Sequence, residues 1–160
     1  MNLYSSLKIS SELLLMRYLG NSPIKVTIAR VFNMYGGNDN FSVLQSILKC
    51  LKTNQAFKLH NNGNSIRDFI HINDICNIYK KIIYSDFEGY LNICTGKGIK
   101  ISYLKELSEK TFKKKLKIIN SSTKEIAVSI GSTRKLNSFF GKIKYHLIED
   151  YLKFENELNK

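Results

Sequence analysis

Residues 25–32, Lys-Val-Thr-Ile-Ala-Arg-Val-Phe, are β-branched and mostly apolar, with no consistently polar face. Such a run predicts a strand covered on both sides, the kind found inside parallel sheets. Its flanks are punctuated. Gly20, Asn21 and Pro23 precede it, and these residue types stop a helix because glycine and asparagine accept the turn conformation and proline cannot continue the ladder. Residues 33–40, Asn-Met-Tyr-Gly-Gly-Asn-Asp-Asn, follow as a polar loop. A buried parallel strand needs neighbours on both edges, and no other run in the chain is as long or as apolar. The fold expected is therefore α/β with a lopsided sheet.

The remaining segments alternate. Residues 3–19 carry apolar side chains at 3, 7, 13, 14, 15 and 19, an approximate helical stripe. Residues 41–51 are again periodic and predict a helix. Residues 57–60 alternate as a short strand, residues 61–64 form a turn cluster, and residues 65–72 alternate again. Asn73 and Asp74 are natural N-caps for a helix over residues 75–84. A small strand follows at 89–94 and a loop at 95–98. Ser102 is expected to cap a helix to about residue 110, and residues 116–119 form one more short strand. Ser132 or Thr133 opens a short helix, and residues 147–158 close the chain as an amphipathic one.

Composition narrows the function classes. A length of 160 residues suits one domain or less, and an apolar fraction of 43% suffices for a core. No run approaches the length of a membrane span, and the N-terminal residues lack the basic and apolar regions of a signal peptide. Cys50, Cys76 and Cys94 are odd in number and show no C-x-x-C spacing. They are expected to be thiols in a reducing compartment, the cytoplasm, with no disulfide and no metal site. The net charge of +12 would attract phosphates. It is carried almost wholly by lysine in a chain also rich in asparagine and isoleucine, the pattern of compositional bias. A dedicated nucleic-acid reader would use more arginine for bidentate contacts, so nucleic acid is not an expected partner. Lys113, Lys114 and Lys115 read as a solvated face.

The chemistry begins at residues 4–8, Tyr-Ser-Ser-Leu-Lys. Tyr4 and Lys8 lie one turn apart on the same face of a helix. A free tyrosine titrates near ~10 and is a poor base at neutral pH; an adjacent ammonium favours the phenolate and makes proton abstraction feasible. Further on, Asn33 places a donor and an acceptor in the loop after the long strand, where α/β sheets bind ligands. Arg67 offers a fork suited to a diphosphate. Asp68 orients its segment, Phe69 and Ile72 are core, and His71 is structural, having no partner histidine or cysteine nearby.

Four segments in order carry a family resemblance. They are Tyr-Ser-Ser-Leu-Lys at 4–8 with Glu12, Ile-Ala-Arg-Val-Phe-Asn-Met-Tyr-Gly at 28–36, Asn-Gly-Asn-Ser-Ile-Arg-Asp-Phe-Ile-His-Ile-Asn-Asp at 62–74, and Leu-Asn-Ile-Cys-Thr-Gly at 91–96. Together they resemble the C-terminal portion of extended short-chain dehydrogenases/reductases, the NAD-dependent nucleotide-sugar epimerase/dehydratase family. The resemblance implies that Tyr4 takes the proton from a sugar hydroxyl while hydride passes to NAD or NADP, and that Lys8 bridges the nicotinamide ribose and lowers the Tyr4 pKa. It implies that Tyr35, with Gly36, turns the chain under the nicotinamide, and that Asn33 and Arg67 bind the nucleotide-sugar substrate. Gly37 stands where the family has proline, and Ser132 where it has an aspartate.

The family's Gly-rich G-x-x-G-x-x-G turn, its ribose-reading acid and the Ser/Thr that polarises the substrate are absent from these residues. The expected architecture is thus the C-terminal part of a Rossmann-like fold. Residues 1–36 are the remnant of the nucleotide-binding domain. Residues 37–160 are mostly a substrate-binding domain with returning strands and the C-terminal helix. The expected function is the C-terminal portion of such an epimerase/dehydratase, working in surface-polysaccharide sugar synthesis. It would be inactive without a separately encoded N-terminal Rossmann half, and would form a homodimer through the Tyr4–Lys8 helix. The alternatives are an inactive truncated remnant or a non-enzymatic basic binding module.

Overall fold

A computed structural model describes residues 3–37, 39, 41–123 and 126–158. The chain runs α1 (Leu3–Leu19), β1 (Thr27–Val31), β2 (Asn33–Tyr35), α2 (Val43–Thr53), β3 (Ala56–His60), a 3₁₀ turn (Asn61–Gly63), β4 (Ile66–His71), α3 (Ile72–Ile83), β5 (Gly89–Ile93), β6 (Gly98–Lys100), α4 (Ile101–Phe112), β7 (Lys117–Ser121), β8 (Val128–Ser129), α5 (Arg134–Phe140) and α6 (Ile148–Glu157).

The long strand finds one parallel neighbour inside the chain. β1 pairs with β5 from Thr27 opposite Gly89 to Val31 opposite Ile93, and among the described residues no strand pairs with its other edge. β4 is the hub of a second sheet, with β2 and β8 parallel to it and β6 antiparallel. β3 and β7 form a separate parallel pair. The strands flanking residues 61–64 thus turn away to different partners. Asn61, Asn62 and Gly63 all adopt positive φ there, and a Cβ on Gly63 would stand 2.9 Å from the backbone N of Ser102.

Two cores result. One joins α2, β3, α4 and α6 around Leu44, Ile47, Leu104 and Leu152. The other joins α3, β5 and α5 around Ile70, Ile78, Leu91, Ile93 and Leu136, with Ala29 of β1 packed against it. By contrast α1 buries none of its residues; Leu3, Leu7, Leu13, Leu14 and Tyr18 are all exposed, Tyr18 to 85%.

Three local expectations need correction. The residues after the long strand do not all form loop: 33–35 become β2, because β4 offers them a parallel edge that short-range pattern cannot reveal. Asp74 does not cap α3. His71 does, its Nδ1 accepting from the Asn73 N–H at 3.1 Å, and Asp74 is buried. Ser102 does not cap α4 either. β6 runs straight into that helix, and the Ile101 N–H donates to the Ser65 carbonyl at 3.0 Å, tying the helix start to the entrance of β4.

Candidate functional site

β4 alternates its side chains between two environments. Asp68, fully buried, takes four donors at one carboxylate: the Thr95 N–H at 2.9 Å and hydroxyl at 2.6 Å, the Gly96 N–H at 2.9 Å and the Gly131 N–H at 3.2 Å. A buried charge with this many donors is compensated, and it pins two separate segments to one strand. Asp68 also holds the neighbouring strand, since its carbonyl accepts from Asn33 Nδ2 at 2.9 Å.

Arg67, the preceding residue, is anchored by Nη1 to the carbonyls of Ile66 at 2.9 Å and Ile126 at 2.7 Å. It lines, with Asn33, a cavity of about 600 Å³. The wall also carries Lys58 and His60 from β3, Phe41 and Tyr79, and among the described residues no aspartate or glutamate lines it. A cavity walled by apolar side chains, with a fixed guanidinium, an ammonium and an amide, suits a ligand with an anionic head and a flat or carbon-rich body. The His60 Nδ1 is buried without a partner among the described residues. Lys58 and His60 were not singled out in the sequence. The signal was present, because the alternation of residues 57–60 puts both on the polar side of β3.

α1 presents a second set. Tyr4, Lys8 and Glu12 follow one another at four-residue steps along one face. Lys8 Nζ stands 5.8 Å from the Tyr4 ring centroid, and the Tyr4 side chain is 69% exposed. Glu12 is clamped by Arg30 of β1, whose Nε contacts both carboxylate oxygens at 3.0 and 3.1 Å and whose Nη2 adds a further bond. That hydrogen bond lowers the Glu12 pKa and raises that of Arg30. Arg30 in turn lies over the Tyr90 ring, 4.7 Å from its centroid. The Glu12–Arg30 pair thereby ties α1 to β1. Neither Tyr4 nor Lys8 lines the cavity that holds Asn33 and Arg67.

Tyr35, at the end of β2, is 1% exposed. Its hydroxyl donates to the His146 carbonyl at 3.0 Å, and its ring packs edge-on against His71 and Tyr151. Burial pushes its pKa upward, with Asp74 the leading charge contribution. Gly36, which follows, has φ +92°, and a Cβ there would meet His71 Nε2 at 2.3 Å, so only glycine fits. Among the described residues no group of three or more histidine, cysteine, aspartate or glutamate side chains could hold a metal ion. Among the same residues no helix is long and apolar enough to cross a membrane.

Residues 1–94 match the model of the NAD dependent epimerase/dehydratase family. The chain belongs to this family. Among curated relatives it is 35% identical over 85 residues to the GDP-6-deoxy-D-talose 4-dehydrogenase of Aggregatibacter actinomycetemcomitans, an alignment covering 51% of this chain and 29% of that protein. The fold is shared with dTDP-glucose 4,6-dehydratase from Bacillus anthracis, solved with NAD (TM-score 0.88, 18% identity, 98% of this chain and 51% of that one). It is shared equally with UDP-glucuronic acid 4-epimerase from Bacillus cereus, solved with UDP-glucuronic acid and NAD (TM-score 0.88, 20% identity, 98% and 52%). This epimerase/dehydratase chain therefore spans about half the length of its solved relatives and less of the curated one. Its fold is the C-terminal portion of the extended short-chain dehydrogenase/reductase architecture.

Proposed function

We propose that this chain supplies the Tyr–Lys pair and the nucleotide-sugar cavity of an NAD(P)-dependent epimerase/dehydratase acting at a sugar hydroxyl. The observation that carries the reading is the cavity of about 600 Å³, lined by Asn33 and Arg67 and, among the described residues, by no carboxylate. A diphosphate linked to a base and a sugar matches that wall. Arg67 binds the diphosphate and Asn33 orients the sugar or its diphosphate. The names of the relatives reported above each place chemistry at position 4 of the sugar, which makes the 4-hydroxyl the reacting group proposed here.

Tyr4 Oη takes the hydroxyl proton, and the Lys8 ammonium stabilises the phenolate that does so. NAD or NADP, when bound, supplies the acceptor for the hydride. The donor set on α1 fits that cofactor's ribose: a phenol and an ammonium one turn apart, exposed and held by the Glu12–Arg30 clamp. Tyr35 fixes the β2 turn through its bond to the His146 carbonyl, and with Gly36 it would help hold the nicotinamide end of the cofactor. A Gly-rich turn for the pyrophosphate is not among these residues. An N-terminal Rossmann half supplies it, packing on the exposed face of α1, and a homodimer through the same helix covers the rest. Residues 1–36 belong to the Rossmann part, and residues 37–160 mostly to the substrate part. The enzyme works in the cytoplasm, on sugars destined for surface polysaccharide.

Steady-state kinetics with a co-expressed N-terminal half test this assignment. Tyr4→Phe and Lys8→Ala are expected to abolish turnover, the latter also loosening NAD. Arg67→Ala is expected to raise KM about ten- to a hundred-fold with a smaller effect on kcat, because the diphosphate does not react. Near-normal kcat in Tyr4→Phe would remove the catalytic role of α1.

A further inference from the structure

A second cavity, of about 770 Å³, shares no lining residue with the first. It lies where the end of β2, the start of α3, the segment at residues 144–147 and the start of α6 meet. We propose that it binds a small oxyanion-bearing ligand, a phosphate or a carboxylate, through His71, Lys144 and His146.

The assignment starts from a tautomer. His71 Nδ1 accepts the Asn73 N–H, so in the neutral ring the hydrogen is on Nε2. The side chain is 8% exposed. Burial, then the adjacent His146, hold its pKa below the usual imidazole value, against the opposing pull of Asp74, which keeps the ring neutral. Its Nε2–H has no protein acceptor among the described residues, and the ring lines the cavity, where a ligand or water completes the donor.

The surroundings are mostly donors. His146 stacks on His71 with ring centroids 4.6 Å apart, and its Nδ1 is held by the Asp74 carboxylate at 2.6 Å. Lys144 adds an ammonium. Among the described residues no side chain caps α6, whose first turn carries Glu149 and Asp150; α3 begins at the same wall, capped by His71. Asp74, Glu149 and Asp150 lie near the same wall, and two of them are engaged. Asp74 spends its second oxygen on the His146 N–H at 2.9 Å, and Asp150, on the lining, takes Lys153 Nζ at 3.3 Å. Tyr151 and Phe154 provide an apolar wall for a carbon body.

NMR titration of the full chain with inorganic phosphate, and separately with acetate, reads this directly at the imidazole resonances. Phosphate held at Arg67 would not move these signals. The expected result is a saturable shift of the His71 and His146 ring signals. His71→Asn keeps an N-cap acceptor while deleting the Nε2 donor, and Lys144→Met removes the ammonium from an exposed position. Each is expected to weaken the interaction about tenfold. A shift with phosphate alone assigns a phosphate ligand, and a shift with acetate alone a carboxylate. The proposal is overturned if neither anion gives a saturable shift at these rings, or if both variants bind as the wild type does.

Discussion

Asp68 shows how much one side chain organises. Its carboxylate accepts from Thr95, Gly96 and Gly131, and its carbonyl from Asn33. Arg67 is therefore presented from a strand whose neighbours cannot drift. Asp68→Asn keeps the shape but removes the charge and turns one acceptor into a donor facing other donors. A loss of roughly 1.5–3 kcal/mol is expected from hydrogen bonds to a buried charge, read by denaturant unfolding. An unchanged midpoint would show that these donors find other partners. The Arg-Asp-Phe motif was legible in the sequence, and so was the orienting role of Asp68. What was not legible was its list of partners, since Thr95 and Gly131 lie far along the chain and meet it only through the β4–β6 and β4–β8 geometry.

At the scale of elements, apolar period and stop signals located α1, β1, α2 and α6 within a few residues. Those signals are local, and they come from propensity and punctuation. The misplaced caps share one cause. His71 and Lys100 begin helices directly out of strands, so tertiary pairing set the boundary and Asp74 became available for the His146 segment. β2 is legible only to its partner β4. The strand-to-helix junction at His71 also carries a pH signature. Its folded pKa lies below the ordinary imidazole value of 6.5, so below that pH the unfolded chain binds more protons than the folded one. Stability from this group is complete above 6.5 and is lost as the pH falls toward the folded value. Thermal unfolding from neutral to mildly acidic pH is expected to show a steeper decline for the wild type than for His71→Asn. Parallel slopes would mean that His71 does not titrate differently on folding.

At the scale of the molecule, the two cores are closed, but α1 and the free edge of β1 are not. Large apolar side chains of α1, among them Leu3, Leu7, Leu13, Leu14 and Tyr18, face solvent, and β1 pairs on one side only among the described residues. Exposed apolar surface and an open parallel edge both invite association. The isolated chain is expected to sediment as a concentration-dependent oligomer, and a sharp two-state melt from a monomer would show that it covers this surface by itself. The division of labour behind this asymmetry is tested most directly by calorimetric titration of the chain alone, with NAD and with a nucleotide sugar. Heat from the nucleotide sugar, lost in Arg67→Ala, together with no measurable NAD binding, is the result expected of a chain that carries the sugar cavity without the pyrophosphate cradle. Low-micromolar NAD binding by the chain alone, or nucleotide-sugar binding indifferent to Arg67, would contradict it.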